Sequence, residues 1–156
     1  MSKIERSVVI DRPIGEVFDF VLDPTNDASW QTTLVESQVL TEGPIRVGSQ
    51  IREVRRFLGV RFELGYEVTE YEAPRRSSIK SVSGPMQFTG GYVLESRDGS
   101  TEFIVTGDIE GHGFFKLGEP VFTRMAAREL EANLGHLKDL LEAREEPAGD
   151  WRGPSA

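Results

Sequence analysis

A stretch of alternating apolar and polar residues near the middle of the chain most constrains the fold. From Val60 to Val68 every second residue is apolar, and Arg61, Glu63 and Glu67 stand between them. A period of two predicts a strand with one buried face and one face in water. The alternation continues on both sides of a hairpin signal at Asp98-Gly99. We therefore predict an antiparallel sheet with one apolar face, and such a face needs a cover.

A long C-terminal helix is predicted to supply that cover. Between about Glu119 and Glu145, apolar residues recur every three or four positions, which is typical of an amphipathic helix. The recurring residues are Phe122, Ala126, Leu130, Leu134, Leu137 and Leu141.

The N-terminal part predicts a strand and two short helices before the rest of the sheet. Lys3 to Ile10 alternates as a strand, and the apolar residues from Ile14 to Val21 follow a helical period. Asp23-Pro24 ends that helix and can begin a second one. Six further strands between Leu34 and Ile109 make the predicted class α+β, with a curved seven-stranded antiparallel sheet wrapped around the C-terminal helix. One domain is expected over 1–146 and a disordered tail over 147–156.

Composition limits the classes of partner. The formal net charge of -8 disfavours nucleic acid, and no apolar run is long enough to predict stable membrane insertion. The chain has no cysteine and no secretory signal pattern, so a cytoplasmic location is expected, as a monomer or a homodimer.

Several short motifs, in order, resemble one superfamily. The motifs are Val9 to Pro13 with Glu16-Val17-Phe18, Asp23-Pro24 leading to Trp30, Val47-Gly48-Ser49, Tyr66 to Tyr71 with Pro74-Arg75, Asp98 to Thr101, and Leu134 to Leu141. Over about residues 3 to 145 the chain resembles the START-related polyketide cyclase/dehydrase and lipid-transport superfamily, SRPBCC, which has the helix-grip fold. The resemblance implies a cavity between the sheet and the long helix.

Aromatic and other bulky residues are the candidate ligand contacts in such a cavity. They combine apolar area with polar handles at tyrosine and tryptophan. The candidates are Trp30, Phe62, Tyr66, Phe88, Tyr92, Phe103, Phe114, Phe115 and Met125. The alternative is that each simply fills a core.

The sequence has no Gly-x-Ser-x-Gly, His-Glu-x-x-His, Gly-x-x-x-x-Gly-Lys or Gly-x-Gly-x-x-Gly motif, so whether the protein is an enzyme stays open. Weak catalytic candidates are His112, Tyr66, Arg55 and Glu53; no metal and no cofactor are expected. Glu53 and Arg55 are buried if the parity of Ile51 faces inward, and are ordinary surface residues if Val54 faces inward. The surface interpretation is favoured, since buried charges are rare.

Three functions fit these features. The first is a carrier or sensor that binds a lipid, polyketide, isoprenoid or aromatic metabolite in the cavity without changing it. The second is a cyclase- or dehydrase-type enzyme acting on such a ligand, which requires a titratable group inside the cavity. The third is a protein-interaction module of the chaperone-activator kind, which would expose a large apolar patch.

Overall fold

A curled antiparallel sheet organises the computed structural model, which describes residues 2–57, 59–111 and 119–144. Its seven strands follow the order β1-β7-β6-β5-β4-β3-β2. The elements are β1 (Ser2–Ile10), α1 (Ile14–Val21), a 3-10 helix (Pro24–Ser29), β2 (Leu34–Val39), β3 (Gln50–Phe57), β4 (Val60–Glu72), β5 (Arg76–Ser83), β6 (Met86–Arg97), β7 (Ser100–Gly111) and α2 (Glu119–Glu142). The predicted helix-grip fold is confirmed. The predicted tail over 147–156 lies outside the described residues.

Turn residues and a helix cap set the element boundaries. Gly59 has φ +78° between β3 and β4, and Asp98 and Gly99 have φ 51° and 90° between β6 and β7. Positive φ favours glycine and tolerates aspartate, which explains these hairpins. The Asp23 side chain accepts a hydrogen bond from the Thr25 backbone N–H at 3.0 Å, so it caps the 3-10 helix as predicted.

The main core lies where α1 and the C-terminal half of α2 meet β1, β6 and β7. Phe18, Phe103 and Leu137 are 0 to 1% exposed there. Along α2 the predicted apolar stripe divides into two parts. Leu134, Leu137 and Leu141 are buried in the core, whereas Ala126 and Leu130 line a cavity. The stripe therefore both closes the sheet and leaves space beside it.

Candidate ligand-binding site

A cavity of about 350 Å³ lies between the inner face of the sheet, the 3-10 helix and α2. Most of its wall is apolar, and β3 to β7 all contribute to it. Five of the predicted ligand contacts line this cavity: Trp30, Phe62, Tyr66, Phe88 and Tyr92.

Of the other four predicted contacts, two do not line this cavity and two cannot be placed. Phe103 is 0% exposed and packs in the core, where its ring meets Trp30 and Tyr92 edge to face. Met125 is 37% exposed and does not line the cavity. Phe114 and Phe115 lie outside the described residues, as does His112. The alternation of the strand thus correctly predicted that Phe103 faces inward. It could not predict that Phe103 packs in the core and does not line the cavity.

The residues of β3 that face the cavity are the set that the sequence analysis did not favour. Ile51, Glu53, Arg55 and Phe57 line the cavity, and Glu53 is only 3% exposed. The surface interpretation of Glu53 and Arg55 is therefore wrong. An ion pair explains the burial, since Arg55 Nε donates to Glu53 Oε1 at 2.9 Å.

A hydrogen-bond network surrounds this ion pair. Tyr66 donates its hydroxyl to Glu53 Oε2 at 2.8 Å, which satisfies the second carboxylate oxygen. Arg55 Nη1 donates to Thr33 Oγ1 at 2.9 Å, and Nη2 donates to Gln31 Oε1 at 2.6 Å. Strands β3 and β4 and the segment after the 3-10 helix therefore meet at one polar side of the cavity. We call Gln31, Thr33, Glu53, Arg55 and Tyr66 the polar cluster.

The protonation states in the polar cluster follow from burial and from the ion pair. Burial lowers the pKa of Arg55, but the charge and hydrogen bond of Glu53 raise it more, and the net shift is upward. Burial, followed by the negative charge of Glu53, raises the pKa of Tyr66 well above its ordinary value. Arg55 is therefore charged at neutral pH, and Tyr66 keeps the proton that it donates.

Asp27 is a further cavity residue, one that sequence reasoning missed. It lies on the 3-10 helix, is 6% exposed, and its Oδ1 atom is buried without a hydrogen-bond partner. Burial and the nearby charge of Glu53 raise its pKa to about 8, against the opposing effect of Arg55. One signal in the sequence could have predicted its burial. Asp27 stands three residues before the apolar Trp30, and residues three apart share a face of a 3-10 helix.

Two glycines form part of the cavity floor. Gly90 on β6 and Gly107 on β7 are directly paired across the sheet, and both line the cavity. A Cβ added at Gly107 would meet only the carbonyl oxygen of Thr89, at an ordinary 3.7 Å, so the space above it is open. Phe88 and Tyr92 precede and follow Gly90 by two residues and flank this bare backbone. The floor is therefore flat between two aromatic side chains.

Comparison with known proteins assigns the chain to a family. The family described as polyketide cyclase / dehydrase and lipid transport matches residues 1–142. The chain belongs to this family. No protein of curated function matches the sequence significantly.

Structural relatives of this family member share its fold at low identity. TTHA0849 from Thermus thermophilus is 16% identical with a TM-score of 0.80, over 93% of this chain and 100% of that one. The Zhui aromatase/cyclase from Streptomyces sp. R1128 is 18% identical with a TM-score of 0.78, over 95% and 98%. The di-domain aromatase/cyclase BexL is 18% identical with a TM-score of 0.72, over 91% of this chain and 47% of BexL.

The part of this family member that the structure describes has neither a membrane-spanning helix nor a metal-binding cluster. None of the described helices combines the length and apolar character that a bilayer crossing requires. Within the same residues, no group of three or more His, Asp or Glu side chains could hold a metal ion.

The pKa of Asp27 predicts a pH-dependent stability. Because the ordinary value is 3.8 and the folded value is about 8, the folded chain holds a proton that the unfolded chain has released between these values. The contribution of Asp27 to the free energy of unfolding therefore falls as the pH rises through this window. Asp27→Asn, which is always neutral, is expected to be more stable than the natural chain above about pH 8, by a few kcal/mol.

Urea unfolding of both chains at several pH values measures this difference. Asp19→Asn is the matched control, because Asp19 is exposed on α1 and away from the cavity. If the free energy of unfolding changes equally with pH in the natural chain and in Asp27→Asn, the prediction is wrong. Asp27 would then ionise as freely in the folded chain as in the unfolded chain.

Proposed function

We propose that the protein binds a small, mainly apolar molecule in this cavity and releases it unaltered, as a carrier or sensor. The observation that carries the proposal is the cavity itself, with about 350 Å³ of space and a mainly apolar wall. This volume falls in the range of small-molecule sites, which typically combine apolar walls with a few placed polar groups.

The polar cluster gives such a ligand one preferred orientation. Its groups come from β3, β4 and the segment after the 3-10 helix, whereas Ile79, Phe88, Val105 and Ile109 line the side formed by β5 to β7. An apolar ligand body fits over the paired glycines, and a polar end group faces the cluster. This arrangement supports a ligand with one polar end rather than a uniformly apolar one.

A cavity-filling substitution tests the binding function. Gly107→Val places two methyl groups in open space above the floor. It is expected to weaken ligand binding by about tenfold or more, because the ligand and the added methyl groups together would overpack the site. Native mass spectrometry of the protein purified from its own host, followed by extraction, measures what each chain carries. The natural chain is expected to retain a stoichiometric apolar compound that Gly107→Val lacks.

Gly135→Val is the matched control for this experiment. Gly135 lies on α2 outside the cavity wall, and a Cβ there has nothing within 4 Å. A folded Gly107→Val chain that carries the same compound in the same amount would contradict the proposal. A natural chain that is empty and fails to retain any member of a hydrophobic panel would contradict it as well.

A cyclase- or dehydrase-type enzyme is the second candidate, supported by the titratable groups inside the cavity. In this function Arg55 or Tyr66 polarises a ligand carbonyl, and the buried carboxyl of Asp27 moves a proton. Extraction would then return a precursor together with its product instead of one unaltered compound. The named aromatase/cyclases among the structural relatives agree with this candidate.

The interaction module has less support. Such a module needs a large exposed apolar patch. Among the described residues, exposed apolar side chains lie on separate elements, such as Val9 on β1, Val35 on β2 and Leu140 on α2, and only Leu40 and Val82 line a common pocket.

A further inference from the structure

The charges in the cavity wall do not balance. Asp27, Glu53 and Glu129 contribute carboxyl groups, and Arg55 is the one basic residue among the described residues that line the cavity. Each of the three guanidinium nitrogens of Arg55 already donates a hydrogen bond within the polar cluster. The charge of this one cation is already matched by Glu53, and the other two carboxyl groups of the described wall have no basic counterpart in it.

Asp27 is the carboxyl group that this arrangement leaves without a partner. Both oxygens of Glu53 accept hydrogen bonds, from Arg55 and Tyr66, and Glu129 accepts one from the Thr32 hydroxyl. Asp27 Oδ1 is buried and accepts none. A buried polar atom without a partner costs free energy, so a ligand that supplies the missing donor gains by doing so.

The charged groups around Asp27 favour a positively charged donor. Glu53 on β3 and Asp23 at the start of the 3-10 helix act against a negative Asp27, and Arg55 alone acts in its favour. Glu129 adds another carboxyl group to the wall from α2. A cation placed beside Asp27 would offset both the burial of the carboxylate and the repulsion by its acidic neighbours.

Aromatic rings in the same wall suit a cation as well. Trp30, Tyr66 and Tyr92 line the cavity together with Asp27. Ring faces attract ammonium groups, and the attraction is stronger when water is excluded. Carboxyl and aromatic groups in one cavity wall are the chemistry that recognises an amine.

We propose that the ligand carries a protonated amine at its polar end, which pairs with Asp27 while the apolar body lies over the Gly90 and Gly107 floor. This inference rests on the binding function proposed above and specifies its ligand class. The excess of carboxyl groups over basic groups in the wall disfavours a free fatty acid or another carboxylate. The amine is a stable binding determinant here and undergoes no reaction.

Proton release distinguishes an amine from a neutral ligand in the natural chain. With a pKa of about 8, Asp27 holds a proton in the empty cavity at pH 7. Pairing with an ammonium group ionises the carboxyl, so binding releases close to one proton to the buffer. The phenols of Tyr66 and Tyr92, whose pKa values burial raises, stay protonated and do not contribute.

Matched pairs of probes make the test specific. The pairs are 1-naphthylmethylamine with 1-naphthylmethanol, and decylamine with decanol, titrated by calorimetry at pH 7 in two buffers of different ionisation enthalpy. We expect one amine or both to bind about tenfold or more tightly than the matched alcohol, the effect of a charge-assisted hydrogen bond, with proton release. Asp27→Asn is expected to remove this preference and the proton release, while Asp19→Asn keeps both.

Each other outcome overturns the inference in a distinguishable way. Alcohols that bind as well as the amines, or amines that bind without proton release, would overturn the amine and leave the binding function standing. If other apolar compounds bind but neither amine does, the amine is likewise overturned and the binding function stands. If no apolar probe binds at all, the proposed function itself fails. Should Asp27→Asn not fold, the proton release in the natural chain decides the question alone.

Discussion

Arg55→Met is expected to lower the free energy of unfolding by about 3 to 5 kcal/mol, because it leaves the Glu53 carboxylate buried without its charged partner. The side chain of Glu53 is only 4% exposed, so we expect water to replace the lost guanidinium poorly. Methionine keeps most of the length and apolar area of arginine, which confines the change to charge and hydrogen bonding. Guanidinium chloride unfolding measures the effect.

Two further chains make that result interpretable. Arg56→Met is the control, because Arg56 is the exposed neighbour on the same strand and should change stability little. The double variant Glu53→Gln with Arg55→Met should recover part of the loss, since it removes the unpaired charge. A loss below about 1 kcal/mol for Arg55→Met alone would mean that Glu53 finds water or a proton in place of arginine.

Phe103→Ala is expected to cost about 3 to 5 kcal/mol, because this ring is fully buried and the cavity left behind cannot collapse. Its ring centroid lies 4.9 Å from that of Tyr92 and 6.2 Å from that of Trp30, both at edge-to-face angles. The substitution therefore removes two aromatic contacts as well as apolar area. Thermal and denaturant unfolding together measure the loss.

Phe62→Ala is the comparison for this second result. Phe62 also lies on an inner strand position, but it is half-buried and borders the open cavity. Its removal should cost clearly less, since part of its surface already faces empty space. Equal losses at the two positions would show that the cavity is filled by side chains in solution.

The fold could be predicted from the sequence because its two periodic signals are strong. The alternation of β4 and the stripe of Leu134, Leu137 and Leu141 each repeat often enough to specify a one-sided sheet and its covering helix. Tyr66 and Tyr92 were placed on the inner face for the same reason. Periodicity reports which side a residue faces, and most of the architecture depends on that alone.

The polar part of the site could not be predicted in this way. On β3 the inward parity carries Glu53 and Arg55, so a buried ion pair removes the hydrophobic signal that would have set the register. Asp27 looks like an ordinary solvated residue of a short helix, and its burial depends on strands that are distant in sequence. Phe103 has the correct parity, yet its depth depends on packing against Trp30.

The order of the strands has a consequence for when the cavity forms during folding. Strands β2 to β7 each pair with their sequence neighbours, whereas β1 pairs with β7, as in Ser2 with Ile109, and α2 packs mainly against β1. Closing so long a loop carries the largest entropic cost in the sheet, so this pairing is expected to come late in folding. Strand β1 and helix α2 thus complete the enclosure together. We therefore expect a nascent chain that lacks α2 to have no closed cavity, so a ligand of the proposed kind would enter only after α2 has left the ribosome.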